Sequence, residues 1–194
     1  MKRYETRRDG VRIHTDRGGV VRARQLVFAT GYESQEFLPK KVVKLNSSFA
    51  LASEPLDPEQ LWEAHSLIWE CGNPYLYLRT TDDHRIIVGG EDESFRDPVK
   101  RDALIASKTK TLLRKFKRLF PRIPLEVSFA WAGTFGETED GLPYIGKHRA
   151  FPHAWFALGY GGNGITYSAL AAEIIRDALL GRPNPYADLF PFDR

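Results

Sequence analysis

The residues of this sequence with the clearest capacity for chemistry are four glycines in one short turn. The segment 155–176, WFALGYGGNGITYSALAAEIIR, consists of an apolar strand, the glycine turn and an Ala-rich helix. Glycines allow positive φ and remove side chains that would keep a ligand away from the backbone. The first N–H groups of the helix point outward at the positive end of its dipole. The turn therefore predicts a cofactor site, with these candidate binding residues: Gly161, Gly162, Asn163, Gly164, Ile165 and Thr166.

Two nucleotide-binding motifs fit this turn only in part. Gly159, Gly161 and Gly164 have the G-x-G-x-x-G spacing of a dinucleotide fingerprint, which requires a second strand with an acidic residue after the helix. The helix ends near Gly181 and a short proline-rich segment follows, so the unit is incomplete. A phosphate-binding P-loop would need lysine where Ile165 stands. Two hypotheses stay open. The helix N-terminus faces a cofactor ring bound mainly by another part of the protein, or the glycines simply pack a helix against a sheet.

The composition is that of an ordinary folded domain. The chain has 194 residues, of which 42% are hydrophobic and 27% charged, so it can bury a core and is not disordered. Its single cysteine, Cys71, excludes an intramolecular disulfide and a cysteine-rich metal site, and it suits a reducing compartment. No apolar run follows Met1, no segment reaches the length of a membrane span, and the five histidines lack metal-binding spacing. We therefore expect a cytoplasmic protein with no metal and no membrane partner.

Basic residues are concentrated in one predicted helix, residues 98–120, although the net charge is only +3. The same helix has an apolar stripe, which indicates that it packs on a core. The stripe consists of Leu104, Ile105, Leu112, Leu113, Phe116 and Leu119. A solvated basic face explains this pattern better than a nucleic-acid site, so we expect no nucleic-acid partner.

The beginning of the chain predicts a hairpin that leads into a buried strand. Residues 11–15 and 19–24 are two short strands around a tight turn. The segment 25–31 follows, and its Val27 and Phe28 are expected at the end of a buried strand. The Ala-Thr-Gly turn after this strand lies at its carboxyl end, where ligands bind in open α/β sheets.

The middle of the chain predicts an antiparallel sheet that the basic helix covers on one face. The strand candidates are residues 48–53, 75–80, 85–90 and 125–131. We expect residues 134–146 to form a loop and residues 183–194 to form a surface tail after the last helix.

Three segments together resemble the FAD-dependent oxidoreductases of the D-amino-acid oxidase family. Residues 26–31 resemble the hydrophobic-A-T-G segment of that family, and residues 138–146 its T-x-D-G-x-P-x-I-G segment, as in glycine and sarcosine oxidases. Residues 159–165 look like its last flavin-contacting turn. The likeness covers essentially the whole chain. It is closest to the subgroup that acts on γ-glutamylputrescine and similar amines, which has counterparts of residues 75–95 and 131–136.

The resemblance implies a mixed α/β, or α+β, fold with two domains interleaved in sequence. A partial, Rossmann-like FAD domain of the GR2 type would comprise residues 1–45 and 136–182, without the N-terminal βαβ unit of the family. An antiparallel substrate domain with one long helix would comprise residues 46–135, and residues 183–194 would be the tail.

Three departures from the family pattern shape the expected function. No G-x-G-x-x-G precedes residue 159, so the chain resembles only the C-terminal half of such an enzyme, and its FAD affinity should be poor unless another polypeptide supplies that unit. The stretch 133–136 lacks the arginine that holds a substrate carboxylate in amino-acid-specific members. An amine with an apolar or extended body is therefore favoured over a free α-amino acid. No cysteine lies near this loop, so we expect noncovalent flavin.

The chemistry implied by the resemblance is carried by the flavin. A hydride equivalent passes to it from the carbon next to a neutral amine, the imine hydrolyses, and oxygen or another acceptor reoxidises the flavin. We expect the N–H groups of residues 162–165 to stabilise the charge that reduction places on the ring. Thr166 adds a hydroxyl there or caps the helix.

Four further residues receive roles. The resemblance assigns Thr30 and Gly31 to the ribose or pyrophosphate of FAD, with a close packing turn as the alternative. Phe135 and Tyr160 are candidates for the wall of the substrate cavity, with an ordinary core role as the alternative. The alternative for the whole chain is a non-catalytic remnant or interaction module that keeps the substrate-domain scaffold and binds no flavin.

Overall fold

In the computed structural model, which describes residues 3–72, 74–95 and 97–194, the chain divides into two units. The first unit combines the two ends of the chain, Met1–Lys44 and Phe135–Arg194, and the second is the segment Leu45–Thr134. Met1, Lys2, Asn73 and Arg96 lie outside the described residues.

The elements follow one another in this order. The strands are β1 (Arg3–Arg7), β2 (Gly10–His14), β3 (Val20–Ala23), β4 (Leu26–Phe28), β5 (Lys44–Ser53), β6 (Ile68–Trp69), β7 (Leu76–Thr80), β8 (Ile86–Ser94), β9 (Val127–Glu137), β10 (Tyr144–Lys147) and β11 (Ala154–Leu158). The helices are α1 (Pro98–Ala103), α2 (Ile105–Leu119) and α3 (Gly164–Leu179), and short 3₁₀ turns cover Gly31–Phe37, Pro58–Gln60, Glu63–His65 and Ala187–Leu189.

The first unit is built on a small mixed sheet in the order β10-β11-β4. Strand β11 is apolar and buried along its whole length, which is typical of a central strand. It pairs antiparallel with β10 and parallel with β4, where Phe156 lies opposite Phe28 and the two rings stack at 4.6 Å. Helix α3 packs Ala171, Ile174 and Ile175 against this sheet, while β1, β2 and β3 form a separate antiparallel sheet.

The second unit is a five-stranded sheet in the order β6-β7-β8-β5-β9, with antiparallel pairing from β6 through β5. Helix α2 lies on one face and buries Leu112 and Phe116 completely. These two side chains, four residues apart, lie on one face of the helix and contact Leu51, Leu78 and Val88 of the sheet cluster. The expected mixed α/β fold with an antiparallel sheet under one helix is therefore confirmed.

The basic helix differs from the expectation in two ways. It is two helices, because the Leu104 N–H donates to the Arg101 carbonyl three residues back and closes α1 with a tight turn. Its stripe is also less buried than expected, since Leu104 and Leu119 are exposed. Phe120, the residue just after α2, packs against the core cluster instead, and its ring stacks on those of Phe116 and Trp62.

Three other expectations about local structure are wrong. Val27 is 41% exposed rather than buried, because successive residues of a strand face opposite sides: Phe28 points into the core cluster, and Val27 points to the other face at the edge of the sheet. The loop expected over residues 134–146 is short, since β9 runs to Glu137 and β10 begins at Tyr144. The segment 183–194 is more than a surface tail, because Phe190 is buried in the cluster under α3.

The sequence analysis predicts neither β1 nor β6. In the described part of the chain, no helix is long and apolar enough to cross a bilayer.

Candidate functional site

Two turns singled out in the sequence lie at the same end of the sheet in the first unit. Strands β4 and β11 run parallel, with Leu26 opposite Ala154 and Phe28 opposite Phe156. Their carboxyl ends therefore point the same way. The Ala-Thr-Gly turn leaves β4 there, and the glycine turn that starts at Gly159 leaves β11 there. This is the edge at which open α/β sheets bind ligands.

The glycine turn contains glycines of two kinds. Gly159 has φ +79°, and a Cβ built on it would lie 2.6 Å from the Thr138 methyl group, so packing alone explains this glycine. Gly161 has φ +53° and donates its N–H to the Gly136 carbonyl at 3.0 Å. Gly162 and Gly164 have neither positive φ nor an atom within 4 Å of a built Cβ.

Neither backbone conformation nor packing therefore requires glycine at positions 162 and 164. What the missing side chains leave is open space over the backbone at the start of α3. A ligand that approaches this backbone closely is a sufficient reason for both glycines. The turn consequently fits a flat or anionic group better than a pure packing role does.

The N-terminus of α3 presents several free backbone donors to that space. Asn163 is the N-cap residue, and its own N–H is already engaged by the Tyr160 carbonyl at 3.0 Å. In the described part of the chain, the N–H groups of Gly162, Gly164 and Ile165 make no backbone hydrogen bond. Of the four donors expected from the sequence, three are thus available. They lie at the positive end of the helix dipole, which favours negative charge.

Three residues at the same helix start leave its backbone accessible. Ile165 is 91% exposed, so its backbone is not shielded by packing. Thr166 is exposed and stands inside the helix, so it is not the cap. Asn163 holds the cap position without a side-chain capping bond. The backbone N–H groups at this helix end are therefore not capped by the Asn163 side chain and can donate to a ligand.

The Ala-Thr-Gly turn has a similar openness. Gly31 has φ +60°, and a Cβ built on it would meet no atom within 4 Å. The Thr30 hydroxyl lies 3.0 Å from the hydroxyl of Ser34, which is fully buried and anchors the turn. The structure thus brings Thr30 and Gly31 to the same sheet edge as residues 161–166. Their roles toward a cofactor stay predictions.

The two candidate cavity residues have different surroundings. Tyr160 is half-buried at the margin of the α3 cluster, its ring 6.4 Å from that of Tyr167, and this burial raises the pKa of its hydroxyl. Phe135 is half-buried in β9. Their assignment to a substrate cavity stays a prediction.

A cavity of about 1000 Å³ in the first unit lies away from these turns. It is lined by Lys147 at the end of β10 and Trp155 near the start of β11, so it opens at the opposite end of the sheet. Ile174 and Ala178 of α3, distant from the helix start, line it too. None of residues 159–166 lines this cavity.

A support beneath the glycine turn was missed by the sequence reasoning. The buried Thr138, whose methyl group touches Gly159, donates its hydroxyl to the Leu142 carbonyl at 2.8 Å. Asp140 accepts the Leu142 N–H at 3.1 Å, and Arg194 donates to Asp140 at 2.6 Å. The hydrogen bond from Arg194 holds the pKa of Asp140 below its usual value. The T-x-D-G pattern was a usable signal for Thr138 and Asp140, whereas nothing nearby in sequence indicates Arg194.

Comparison with known proteins places this geometry in context. Residues 2–178 match the family described as FAD dependent oxidoreductase. The chain is 32% identical over 140 residues to a probable oxidoreductase OrdL of Haemophilus influenzae, covering 69% of this chain and 29% of that protein. It is 27% identical over 194 residues to gamma-glutamylputrescine oxidoreductase of Escherichia coli, covering 93% and 43%. The chain thus spans less than half the length of these curated relatives.

The fold also has a counterpart among solved structures. L-proline dehydrogenase from P. horikoshii superposes with a TM-score of 0.81 over 98% of this chain and 52% of that one, at 17% sequence identity. At this identity the similarity concerns the fold alone.

Proposed function

This chain belongs to the family of FAD dependent oxidoreductases, and from that membership we propose that it is the flavin-contacting and substrate-binding part of an amine oxidoreductase. The observation that carries the proposal is the glycine turn. Gly162 and Gly164 are not required by φ or by packing, and they stand beside free N–H groups at the start of α3. A cofactor that lies against this backbone accounts for both features.

Bound FAD would supply the acceptor for a hydride equivalent from the carbon next to the amine. The chain's own contribution is electrostatic. The N–H groups of Gly162, Gly164 and Ile165 are fixed in place by α3 and can donate to the part of the ring that becomes negative. At an exposed helix end such as this one, the effect is worth about 1 kcal/mol or less, and it approaches about 2 kcal/mol where a bound ring covers the helix end. Thr30 and Gly31, at the same edge, are the proposed contacts for the ribose or pyrophosphate.

The proposed substrate is an amine rather than a free α-amino acid. The stretch Gly133-Thr134-Phe135-Gly136 carries no arginine of its own to hold a carboxylate in a bidentate manner, and the Arg101 guanidinium that donates to the Thr134 hydroxyl at 3.0 Å also donates to Asp102. In this proposal, Phe135 and Tyr160 offer apolar surface to the body of the amine. The flavin is held noncovalently, since the only cysteine, Cys71, belongs to the second unit and not to the flavin turn. A single exposed cysteine also suits a reducing compartment, and we propose the cytoplasm.

The dinucleotide-binding βαβ unit of the family must come from elsewhere, on the same polypeptide or on another chain. Strand β4 supports this view. It pairs with β11 on one side only among the described strands, and its Val27 is exposed. An open edge of this kind offers unpaired N–H and C=O groups to a further strand. We propose that the missing unit adds its strand here and brings its own contacts to the pyrophosphate.

The direct experiment is a titration of the purified chain with FAD, followed by flavin absorbance and fluorescence, with the fold checked by circular dichroism. We expect saturable but weak binding, because the pyrophosphate-binding unit lies outside this sequence. Absence of binding by the folded chain would contradict the proposal. It would instead support a non-catalytic interaction module, which the short span relative to the curated relatives also allows.

A further inference from the structure

Three aromatic rings form an exposed platform on the sheet of the second unit. The rings of Trp69 and Tyr75 are 5.0 Å apart and almost parallel, at an interplanar angle of 7°. Tyr77 lies 6.2 Å from both, at angles of 29° and 28°. Trp69 is 65% exposed and the two tyrosines are half-buried, so the platform is open to solvent at its Trp69 end. We call Trp69, Tyr75 and Tyr77 the aromatic platform.

The register of the sheet puts the platform on the face opposite α2. Leu76 and Leu78 of β7 point into the core beneath the helix, so the alternating residues Tyr75 and Tyr77 point the other way. Trp69 pairs with Tyr77 across the strands. Gly89 of β8 lies under the Tyr77 ring, and a Cβ there would come within 2.1 Å of the ring. This glycine lets the tyrosine lie flat on the sheet.

A carboxylate stands beside the platform without a cation of its own. The Asp92 carboxylate accepts a hydrogen bond from the Tyr75 hydroxyl, but its Oδ1 atom is buried and has no hydrogen-bond partner among the described residues. Burial and then the Asp92 charge raise the pKa values of both Tyr75 and Tyr77, so the carboxylate faces both hydroxyls. Arg79 acts on the Tyr77 hydroxyl in the opposite sense. No ion pair within 4 Å links any described cation to Asp92.

The neighbouring carboxylate, Glu91, differs from Asp92 because it forms ion pairs with lysines of the protein. A bulge with φ +131° at Gly90 and +58° at Glu91 turns Glu91 toward α2, while Asp92 serves the opposite face. Lys115 Nζ lies 2.5 Å from Glu91 Oε1 and Lys108 Nζ 3.7 Å from Oε2. Glu91 therefore has two cations from the protein, and Asp92 has none among the described residues.

We propose that Asp92 and the aromatic platform form a binding site for an alkylammonium cation. An ammonium group donates hydrogen bonds to the free carboxylate oxygen and is attracted to the faces of the aromatic rings. An alkyl chain attached to it gains apolar contact with Trp69. A buried carboxylate oxygen without a partner is costly, and a bound cation removes that cost.

The site lies wholly in the second unit and is defined without a flavin. The use of this site for a second, charged ammonium group of the substrate, distinct from the neutral amine that is oxidised, rests on the proposed function. Its affinity for a cation does not, and the two are measured separately.

The test uses the whole chain without FAD and two probes of the same shape, n-butylammonium and the uncharged n-butanol. Binding is followed by calorimetry and by chemical shifts of the tryptophan indole N–H groups. We expect n-butylammonium to bind at least about tenfold more tightly than n-butanol. Asp92→Asn should lose that preference, whereas Asp82→Asn, which changes an exposed carboxylate in the β7–β8 turn of the same unit, should keep it.

A second variant tests the site even if Asp92→Asn fails to fold. Trp69→Leu alters an exposed side chain and should weaken n-butylammonium binding several-fold without moving the unfolding midpoint. Equal binding of the two probes to the unmodified chain would overturn the proposal, as would an unchanged preference in folded Asp92→Asn. If the chain binds FAD but not n-butylammonium, the cation site is wrong and the proposed function stands. If it binds n-butylammonium but not FAD, the proposed function is wrong and the cation site stands.

Discussion

The glycine turn of the first unit and the aromatic platform of the second are two candidate binding surfaces made by different means. The turn presents backbone: three N–H groups, a helix dipole and glycines with open space above them. The platform presents side chains: three rings and the carboxylate of Asp92. The first suits a flat anionic group and the second an organic cation.

The difference teaches what kind of change each surface tolerates. At the turn, the backbone makes the contacts, so a substitution acts by adding bulk or by straining φ. At the platform, the contacts depend on charge and ring area, so an isosteric change of charge is enough to remove the function. Each surface therefore has its own set of diagnostic variants.

The largest expected effect separates the two kinds of glycine in the turn. Gly159→Ala should lower the free energy of unfolding by about 2 to 4 kcal/mol, because the new Cβ meets the Thr138 methyl group and the left-handed backbone is strained. Gly162→Ala should change it by less than about 0.5 kcal/mol, since its φ is ordinary and its surroundings are open. Urea unfolding of both variants makes the measurement. Equal losses would mean that Gly162 is also held by packing.

We expect a smaller difference in the free energy of unfolding between variants of the two adjacent carboxylates of β8. Glu91→Gln should cost about 1 to 2 kcal/mol, because Lys115 and Lys108 lose a buried anionic partner. Asp92→Asn should change the free energy of unfolding by less than about 1 kcal/mol, because the amide oxygen still accepts from the Tyr75 hydroxyl while a buried, unpaired carboxylate oxygen is removed. Thermal unfolding of the two variants side by side gives the answer. A large loss of stability in Asp92→Asn would mean that the protein itself stabilises the charge of this carboxylate, and it would contradict a site that waits for a cation.

The smallest expected effect concerns pH and the support beneath the turn. The hydrogen bond from Arg194 depresses the folded-state pKa of Asp140, so its contribution to stability is present above the unfolded pKa of about 3.9 and is lost as pH falls through the folded value. Because Asp140 is largely exposed, the contribution should stay below about 1 kcal/mol. Asp140→Asn should remove it.

The check is the stability of the parent chain and Asp140→Asn at neutral and acid pH. The gap between the two proteins should narrow as pH falls below 4. A gap that stays constant would mean that Asp140 acts through its shape and not through its charge.

The part of the site that the sequence predicted well is the part made of local backbone. Gly159 to Gly164 between an apolar strand and an Ala-rich helix is a pattern within one short segment, and the structure has β11, the turn and α3 there. The parallel pairing of β4 with β11 is not local. The family resemblance put the two segments in one domain but did not predict that they pair, and the exposure of Val27 contradicts the expected burial.

The aromatic platform and its carboxylate could not be predicted from the sequence, for a physical reason. Asp92 reaches the aromatic face only because the bulge at Gly90 and Glu91 shifts the alternation of β8, and that bulge depends on how β8 pairs with β5. From the sequence, Glu91, Asp92 and Glu93 look like an ordinary run of charges, although the structure places them in β8. Arg194 likewise meets Asp140 across 54 positions, which no local pattern reveals.

The measurement that tests the central claim most directly is the FAD affinity of the chain and of two matched variants. Gly162→Val adds bulk in the open space at the start of α3, and Ala172→Val adds bulk on an exposed position of the same helix. We predict that Ala172→Val binds FAD as the parent chain does, and that Gly162→Val, equally stable, binds it at least about tenfold more weakly. Equal affinity in all three folded proteins, or no FAD binding by any of them, would contradict the account.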